Sequence, residues 1–260
     1  MKKRLCILLT ACLCLCFCLP AHSQVQADSL ACYNTIASEE QTDGKPVFHP
    51  KQLIFPAVAI TLGSVGASTS FGKKVNREVR DALRYRDHKI KADDYLQYLP
   101  VVSVYGLSLL GAPAKHDYLE RTVITATAYA TMGVLVGSVK YLAKVRRPDS
   151  SSRNSFPSGH TATAFMGAEL VRQEYGTWYG VAAYTVATAI GVARIYNDRH
   201  WASDVVAGAG FGVLSAKVGY WLFPYTGRLL QKITKKKKEN ASLVPFYTGG
   251  SGGIAFSSCF

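Results

Sequence analysis

Residues 52–72, 95–114, 122–139, 175–193 and 205–216 contain no Asp, Glu, Lys or Arg, and a shorter apolar run covers 160–168. Segments of this length with no charged side chain must satisfy their backbone N–H and C=O groups internally, so they read as helices packed on one another or on lipid. The chain is 48% hydrophobic and only 18% charged. This pattern predicts an all-α bundle of about six helices, membrane-embedded or membrane-associated, with any polar site at one end of the bundle. Gly133 with Gly137, and Gly208 with Gly212, place small residues four apart on one helix face, the spacing of close helix contacts.

Charge is confined to the ends of these stretches. The formal charge is +13, which suits an anionic membrane surface or a phosphorylated ligand. Nucleic acid is not expected as a partner, because the basic residues fall in separate clusters between apolar helices rather than along one stripe. Residues 73–91 carry eight Lys or Arg against three Asp or Glu, with Val75, Val79, Leu83 and Ile90 at roughly helical spacing. That segment reads as an amphipathic helix on an anionic surface, or as a solvated charged helix.

The ends divide into simple units. Lys2, Lys3 and Arg4 precede an apolar run at 5–19, and Ala21 and Ser23 fit a signal-peptidase site, so residues 1–23 are expected to be a secretory signal. Residues 24–50 read as a linker or surface strap, 51–230 as the helical domain, and 231–260 as a basic segment followed by a strand-like tail. Five of the seven cysteines lie in the first 18 residues, which leaves no metal-binding or disulfide pattern in the rest. Membrane sidedness contains a conflict. With a cleaved signal and spans at 52, 95 and 122, the 140–157 loop faces the cytoplasm and the lysines at 232–238 lie outside, against the positive-inside tendency. An inner-membrane protein with a periplasm-facing site is expected instead, so either the first helix does not span or the whole bundle is periplasmic and membrane-associated.

Three clusters of polar residues stand at the edges of the apolar runs. In the first, Lys140 and Arg147 are seven apart, which on a continuing helix places two cations on one face before Pro148 turns the chain. In the second, Pro157-Ser158-Gly159-His160 opens a helix: Ser158 suits an N-cap, Gly159 lets a ligand approach the backbone, and His160 stands beside any anion bound there. In the third, Arg194 precedes His200 by six, and Asp204 follows His200 by four, where its carboxylate can fix the imidazole tautomer. Flanking cations and a structural His–Asp pair explain each cluster taken alone. Together they describe a phosphate site, and its cations disfavour a divalent metal, so neither metal nor other cofactor is expected.

In order and spacing these clusters resemble the three-part signature of the type 2 phosphatidic acid phosphatase and haloperoxidase superfamily, and residues 156–166 look like those of its lipid A phosphatase-like members. One position departs: Ala193 stands where the signature has Ser before Arg194. The segment from Pro148 to Pro157 is also short, leaving little chain for a lid. The resemblance implies a metal-independent phosphatase acting on a lipid-linked substrate such as lipid A, undecaprenyl diphosphate or phosphatidylglycerol phosphate. It implies His200 as nucleophile, Asp204 as its orienting carboxylate, and His160 as the acid and then base. Lys140, Arg147, Arg194, Ser158 and Gly159 are implied to hold the phosphoryl oxygens. The alternatives are a soluble periplasmic acid phosphatase or a vanadate-dependent haloperoxidase of the same superfamily, and a non-catalytic phospholipid-binding protein.

Overall fold

The structure, a computed structural model, describes residues 50–83, 93–248 and 251–258. The expected signal at 1–23, nearly all of the expected strap and the 84–92 part of the charged segment lie outside the described residues. A short 3-10 turn (Pro50–Leu53) leads into eight α-helices among the described residues: α1 (Ile54–Ser68), α2 (Ser70–Leu83), α3 (Asp93–Leu96), α4 (Leu99–Leu109), α5 (Tyr118–Ala143), α6 (Gly159–Tyr175), α7 (Thr177–Tyr196) and α8 (Ala202–Asn240). An antiparallel hairpin of β1 (Ala241–Thr248) and β2 (Ser251–Ser258) follows, with Ala241 opposite Ser258. The domain is thus an all-α bundle.

Helix α6 is its axis. Eleven of its seventeen residues are buried, from Thr161 to Glu174, so it faces protein on all sides. Around it Val104 of α4, Ile124 of α5, Ala187 and Ile190 of α7 and Ala216 of α8 close on Met166 and Leu170. A second apolar group, Val136, Phe156, Ala162, Ala207 and Phe211, lies at the end where the three polar clusters meet. The contact between α6 and α8 has no room for side chains at two positions. A Cβ on Gly208 would stand 2.6 Å from the Ser158 carbonyl oxygen, and one on Gly212 would stand 2.2 Å from that of Ala162. The other small pair corrects the sequence expectation, since nothing lies within 4 Å of a Cβ on Gly133 or Gly137.

One buried ionic group sits roughly 15 Å along α6 from its start. Glu169 accepts hydrogen bonds from Arg172 (2.7 Å to each carboxylate oxygen), Lys217 (2.8 Å) and Tyr184 (2.6 Å), so its charge is fully matched.

Two helices, Tyr118–Ala143 and Ala202–Leu229, are long and apolar enough to cross a bilayer, and a third span is possible if the bent pair Pro50–Ser68 and Ser70–Leu83 counts as one. Helix α4 has only eleven residues, roughly 17 Å of rise against a hydrocarbon core of about 30 Å, so the three-span premise of the sidedness conflict fails at the second helix. Apolar side chains cover the outside of α1, where Ile54, Phe55, Val58, Leu62 and Val65 are each at least half exposed. This is the surface a helix presents to lipid rather than to water.

Between α1 and α2 the axis turns by 94°. Thr69 makes the bend: its backbone is extended, its N–H still bonds the Val65 carbonyl, and its hydroxyl accepts from the Gly72 N–H at 3.1 Å, closing one helix and capping the next. Helix α2 is the described part of the amphipathic segment. Its inner face is tied to the first turn of α8 and to the chain just ahead of it. Asn76 exchanges two hydrogen bonds with Ser203 (2.9 and 3.0 Å), and Arg80 pairs with Asp198 at 2.6 Å.

Candidate active site

The three clusters meet where α5 ends and α6 and α8 begin. The C-terminus of α5 corrects one expectation. The helix stops at Ala143 and Lys144 adopts a left-handed conformation (φ 46°), so Lys140 and Arg147 do not share a helical face. Arg147 instead lies in a tight loop, where its N–H bonds the Ser152 carbonyl and the Ser155 N–H returns to Val145. This fold-back carries Arg147 to the site by a different route. The Lys140 ammonium donates to the Asn154 carbonyl at 3.2 Å and stands 4.0 Å from where a Cβ on Gly159 would be, placing it against the first turn of α6.

Ser158 caps α6 as the sequence suggests. Its hydroxyl oxygen accepts from the Thr161 hydroxyl (2.9 Å) and, at 3.4 Å, from the Thr161 N–H, while its own N–H bonds the Asp204 carbonyl. Ser158 and Asp204 are fully buried, and His200 and Arg194 nearly so.

His200 lies just ahead of α8 with Asp204 in that helix's first turn. The nearest acceptor to His200 Nδ1 is the Ser155 carbonyl oxygen at 2.8 Å, and Asp204 Oδ2 stands 3.6 Å away, beyond hydrogen-bonding range. The tautomer with hydrogen on Nδ1 is therefore set first by a backbone carbonyl, leaving Nε2 with a free lone pair. Asp204 acts one step removed. Its Oδ2 accepts from the Ser155 hydroxyl (2.5 Å) and the Trp201 N–H (2.9 Å), so it anchors the residue that holds the histidine. Ser155 went unnoticed in the sequence, where a serine before Phe-Pro-Ser-Gly-His carries no signal of its own.

Two adjacent carboxylates, Asp93 and Asp94, were also missed. Asp93 is buried and accepts from Arg194 Nη1 and from Asn197, both at 2.9 Å, fixing the guanidinium in place. Asp94 is largely exposed, and its Oδ1 accepts from Arg194 at 2.8 Å while lying 3.0 Å from His160 Nε2. They are the only acidic residues between Asp87 and Asp117 and stand at the edge of an apolar run, the one clue available beforehand.

Electrostatics at the site favour an anion. Burial, followed by the nearby Arg194 charge, pushes His160 down to about 4, with Asp94 opposing. Burial likewise lowers His200, assisted by the positive charges of Lys140 and Arg194 and opposed by Asp204. Arg147 is lowered first by burial and then by the Arg199 and Arg194 charges, with Asp149 acting against them. Both histidines are thus neutral near pH 7, amid three cations. The Nε atoms of Arg147 and Arg194 are buried without a hydrogen-bond partner among the described residues, two donors left for an incoming oxygen.

The family model described as PAP2 superfamily matches residues 117–228. A Porphyromonas gingivalis protein named lipid A 1-phosphatase is 40% identical over 156 residues, covering 57% of this chain and 35% of that protein. The Bacillus licheniformis bacitracin transport permease protein BcrC is 35% identical over 95 residues, covering 35% of this chain and 45% of that one. The chain therefore spans less than half the length of these curated relatives. Among solved structures, Aquifex aeolicus LpxE is similar at 22% identity with a TM-score of 0.44, over 58% of this chain and 96% of that one. A Bacillus subtilis PAP2-type phosphatidylglycerolphosphate phosphatase is similar at 20% identity with a TM-score of 0.37, over 68% of this chain and 96% of that one. The segment that resembles the PAP2 superfamily, residues 117–228, is the one that holds Lys140, Arg147, Ser158, Gly159, His160, Arg194, His200 and Asp204.

Proposed function

We propose that this protein is a membrane phosphatase that removes phosphate from a lipid-linked substrate through a phosphohistidine at His200. The observation that carries the reading is a buried neutral imidazole, held through Nδ1 by the Ser155 carbonyl, with Lys140, Arg147 and Arg194 close by. In this scheme the Nε2 lone pair of His200 forms a bond to phosphorus as the bond to the departing oxygen breaks. His160 gives that oxygen its proton, then takes one from water as water attacks phosphorus and the P–N bond breaks, returning His200 neutral with free phosphate. The three cations, the Ser158 hydroxyl and the Gly159 backbone hold the phosphoryl oxygens as charge shifts among them. No step calls on a metal ion, and activity is expected to survive EDTA.

Two apolar helices of spanning length favour a lipid-linked phosphate over a soluble ester, and the 40% identity to a protein named lipid A 1-phosphatase favours lipid A among such lipids. In this reading the site faces the periplasm, the side to which a secretory signal at 1–23 would deliver the chain. Purified protein assayed for phosphate release against lipid A, undecaprenyl diphosphate, phosphatidylglycerol phosphate and a soluble ester tests the reading. Preference for the soluble ester would overturn it.

The depressed histidines fix the sign of the pH dependence. Since His200 is lowered from its usual value near 6.5, it stays unprotonated and nucleophilic into mildly acid solution. His160 is neutral there as well in the free protein, so the proton it passes to the leaving oxygen is one it first takes from the substrate, whose second phosphate ionisation is near pH 6. A profile of kcat/KM is expected to peak on the acid side of neutrality and to fall as pH rises past about 6. A flat profile through pH 8 would contradict this assignment.

Asp93→Asn removes the buried countercharge of Arg194 while keeping the shape of the side chain. A hydrogen bond to a charged group contributes about 1.5–3 kcal/mol, so kcat/KM should drop roughly 10- to 100-fold. Parallel measurement of Tm separates lost positioning from lost folding.

A further inference from the structure

Beside the site lies a cavity of about 500 Å³, within the usual size of a ligand pocket. It lies between α2, the end of α5 and the 200–204 turn. Lys73, Arg77 and Arg146 bring three positive charges to it, Ala143, Val145 and Trp201 give it apolar walls, and no acidic residue lines it. Among the described residues none of the three cations has an ion-pair partner, although Arg80, on the same helix as Lys73 and Arg77, is paired with Asp198. Three exposed cations around one cavity without countercharge create a positive potential there that draws in an anion. Its walls are the chain neighbours of the site residues: Arg146 precedes Arg147, Trp201 follows His200 and Ser203 precedes Asp204. The lining of the cavity and the phosphate clamp therefore draw on neighbouring residues of the same two segments. The Trp201 indole N–H bonds the Arg146 carbonyl at 2.9 Å, and the exchange between Asn76 and Ser203 holds α2 against the same wall.

We propose that this cavity is a second anion subsite, which takes another phosphate group on the headgroup of the same substrate molecule. Resting on the phosphatase reading above, it makes the protein selective for lipids carrying two phosphates over those carrying one. Lys73 and Arg77 contact the non-reacting phosphate, and Trp201 and Val145 pack against the carbon skeleton that joins it to the reacting one.

The test uses the full chain in detergent micelles with two forms of lipid A, one phosphorylated at both ends of its disaccharide and one carrying only the phosphate to be removed. The double variant Lys73→Gln/Arg77→Gln is expected to raise KM for the two-phosphate lipid at least about tenfold and to change kcat and KM for the one-phosphate lipid less than about twofold. Lys74→Gln, an equal charge change one residue from Lys73 and off the cavity lining, should leave both substrates unaffected. Equal changes for both lipids, or no change for either, would overturn the subsite. So would a loss for the one-phosphate lipid alone that follows added phosphatidylglycerol, because the cavity would then hold a neighbouring lipid. A binding arm in the His200→Asn background keeps the two readings apart. If the unaltered chain releases no phosphate from either lipid, the phosphatase reading fails. Tighter binding of the two-phosphate lipid that Lys73→Gln/Arg77→Gln abolishes still supports the subsite, and equal binding of both lipids rejects it.

Discussion

Replacing His200 by Asn is expected to lower kcat for phosphate release by at least about 10⁴-fold while leaving the fold intact. The residue is almost fully buried and its Nδ1–H serves the Ser155 carbonyl. An Asn side-chain amide can also donate to that carbonyl, so the variant keeps the structural bond and loses only the free Nε2 lone pair. Lys140, Arg147 and Arg194 stay in place, so substrate should bind with little change in affinity. The loss therefore falls on kcat rather than KM, the pattern of an interaction used only as the reaction proceeds. Phosphate release under saturating lipid, together with a thermal melt, measures both halves. Residual activity above about one part in a hundred would remove His200 from the nucleophile's position.

Gly212→Val is expected to abolish activity through the fold instead. A Cβ at this position would lie 2.2 Å from the Ala162 carbonyl oxygen and 2.9 Å from the Met166 nitrogen, both backbone atoms of the central helix. Neither can turn aside as a flexible side chain would, so α8 must move away from α6. Those helices carry Asp204 and His160 at their starts, and the Ser158 N–H to Asp204 carbonyl bond joins them there. Overpacking of this kind costs about 1–3 kcal/mol or more, and the displacement separates the acid from the residues that hold the nucleophile. Gly133→Val is the matched control. Its Cβ meets nothing within 4 Å, and both melting temperature and activity should stay near those of the unaltered chain.

These two glycines mark where sequence reading stopped. Gly133 with Gly137 and Gly208 with Gly212 share a spacing, but spacing says only that two residues lie on one helix face, not what packs there. Apolar length located α5, α7 and α8 because each contains a long run without charge, and α6 through the shorter run at 160–168, while the three polar clusters stood out because they lie at the edges of those runs. Geometry inside the site was less accessible. Lys140 and Arg147 were expected on one helix, but the left-handed Lys144 ends α5 between them, and they meet through a loop. The separation of four from His200 to Asp204 suggested direct contact, whereas Ser155 stands between them in the hydrogen-bond chain. Asp93 and Asp94 reach Arg194 across about a hundred residues, a distance no local pattern can report.

The central claim is a covalent bond between phosphorus and His200, and trapping of the phosphoenzyme with an alkaline detergent quench tests it most directly. Purified protein is mixed with lipid carrying radiolabelled phosphate, denatured within milliseconds and digested. The account predicts label on the peptide containing His200, stable to base and labile to acid, increased in His160→Gln if water attack slows more than transfer, and absent in His200→Asn. Label that persists in His200→Asn, or a protein that releases phosphate without ever becoming labelled, would contradict it.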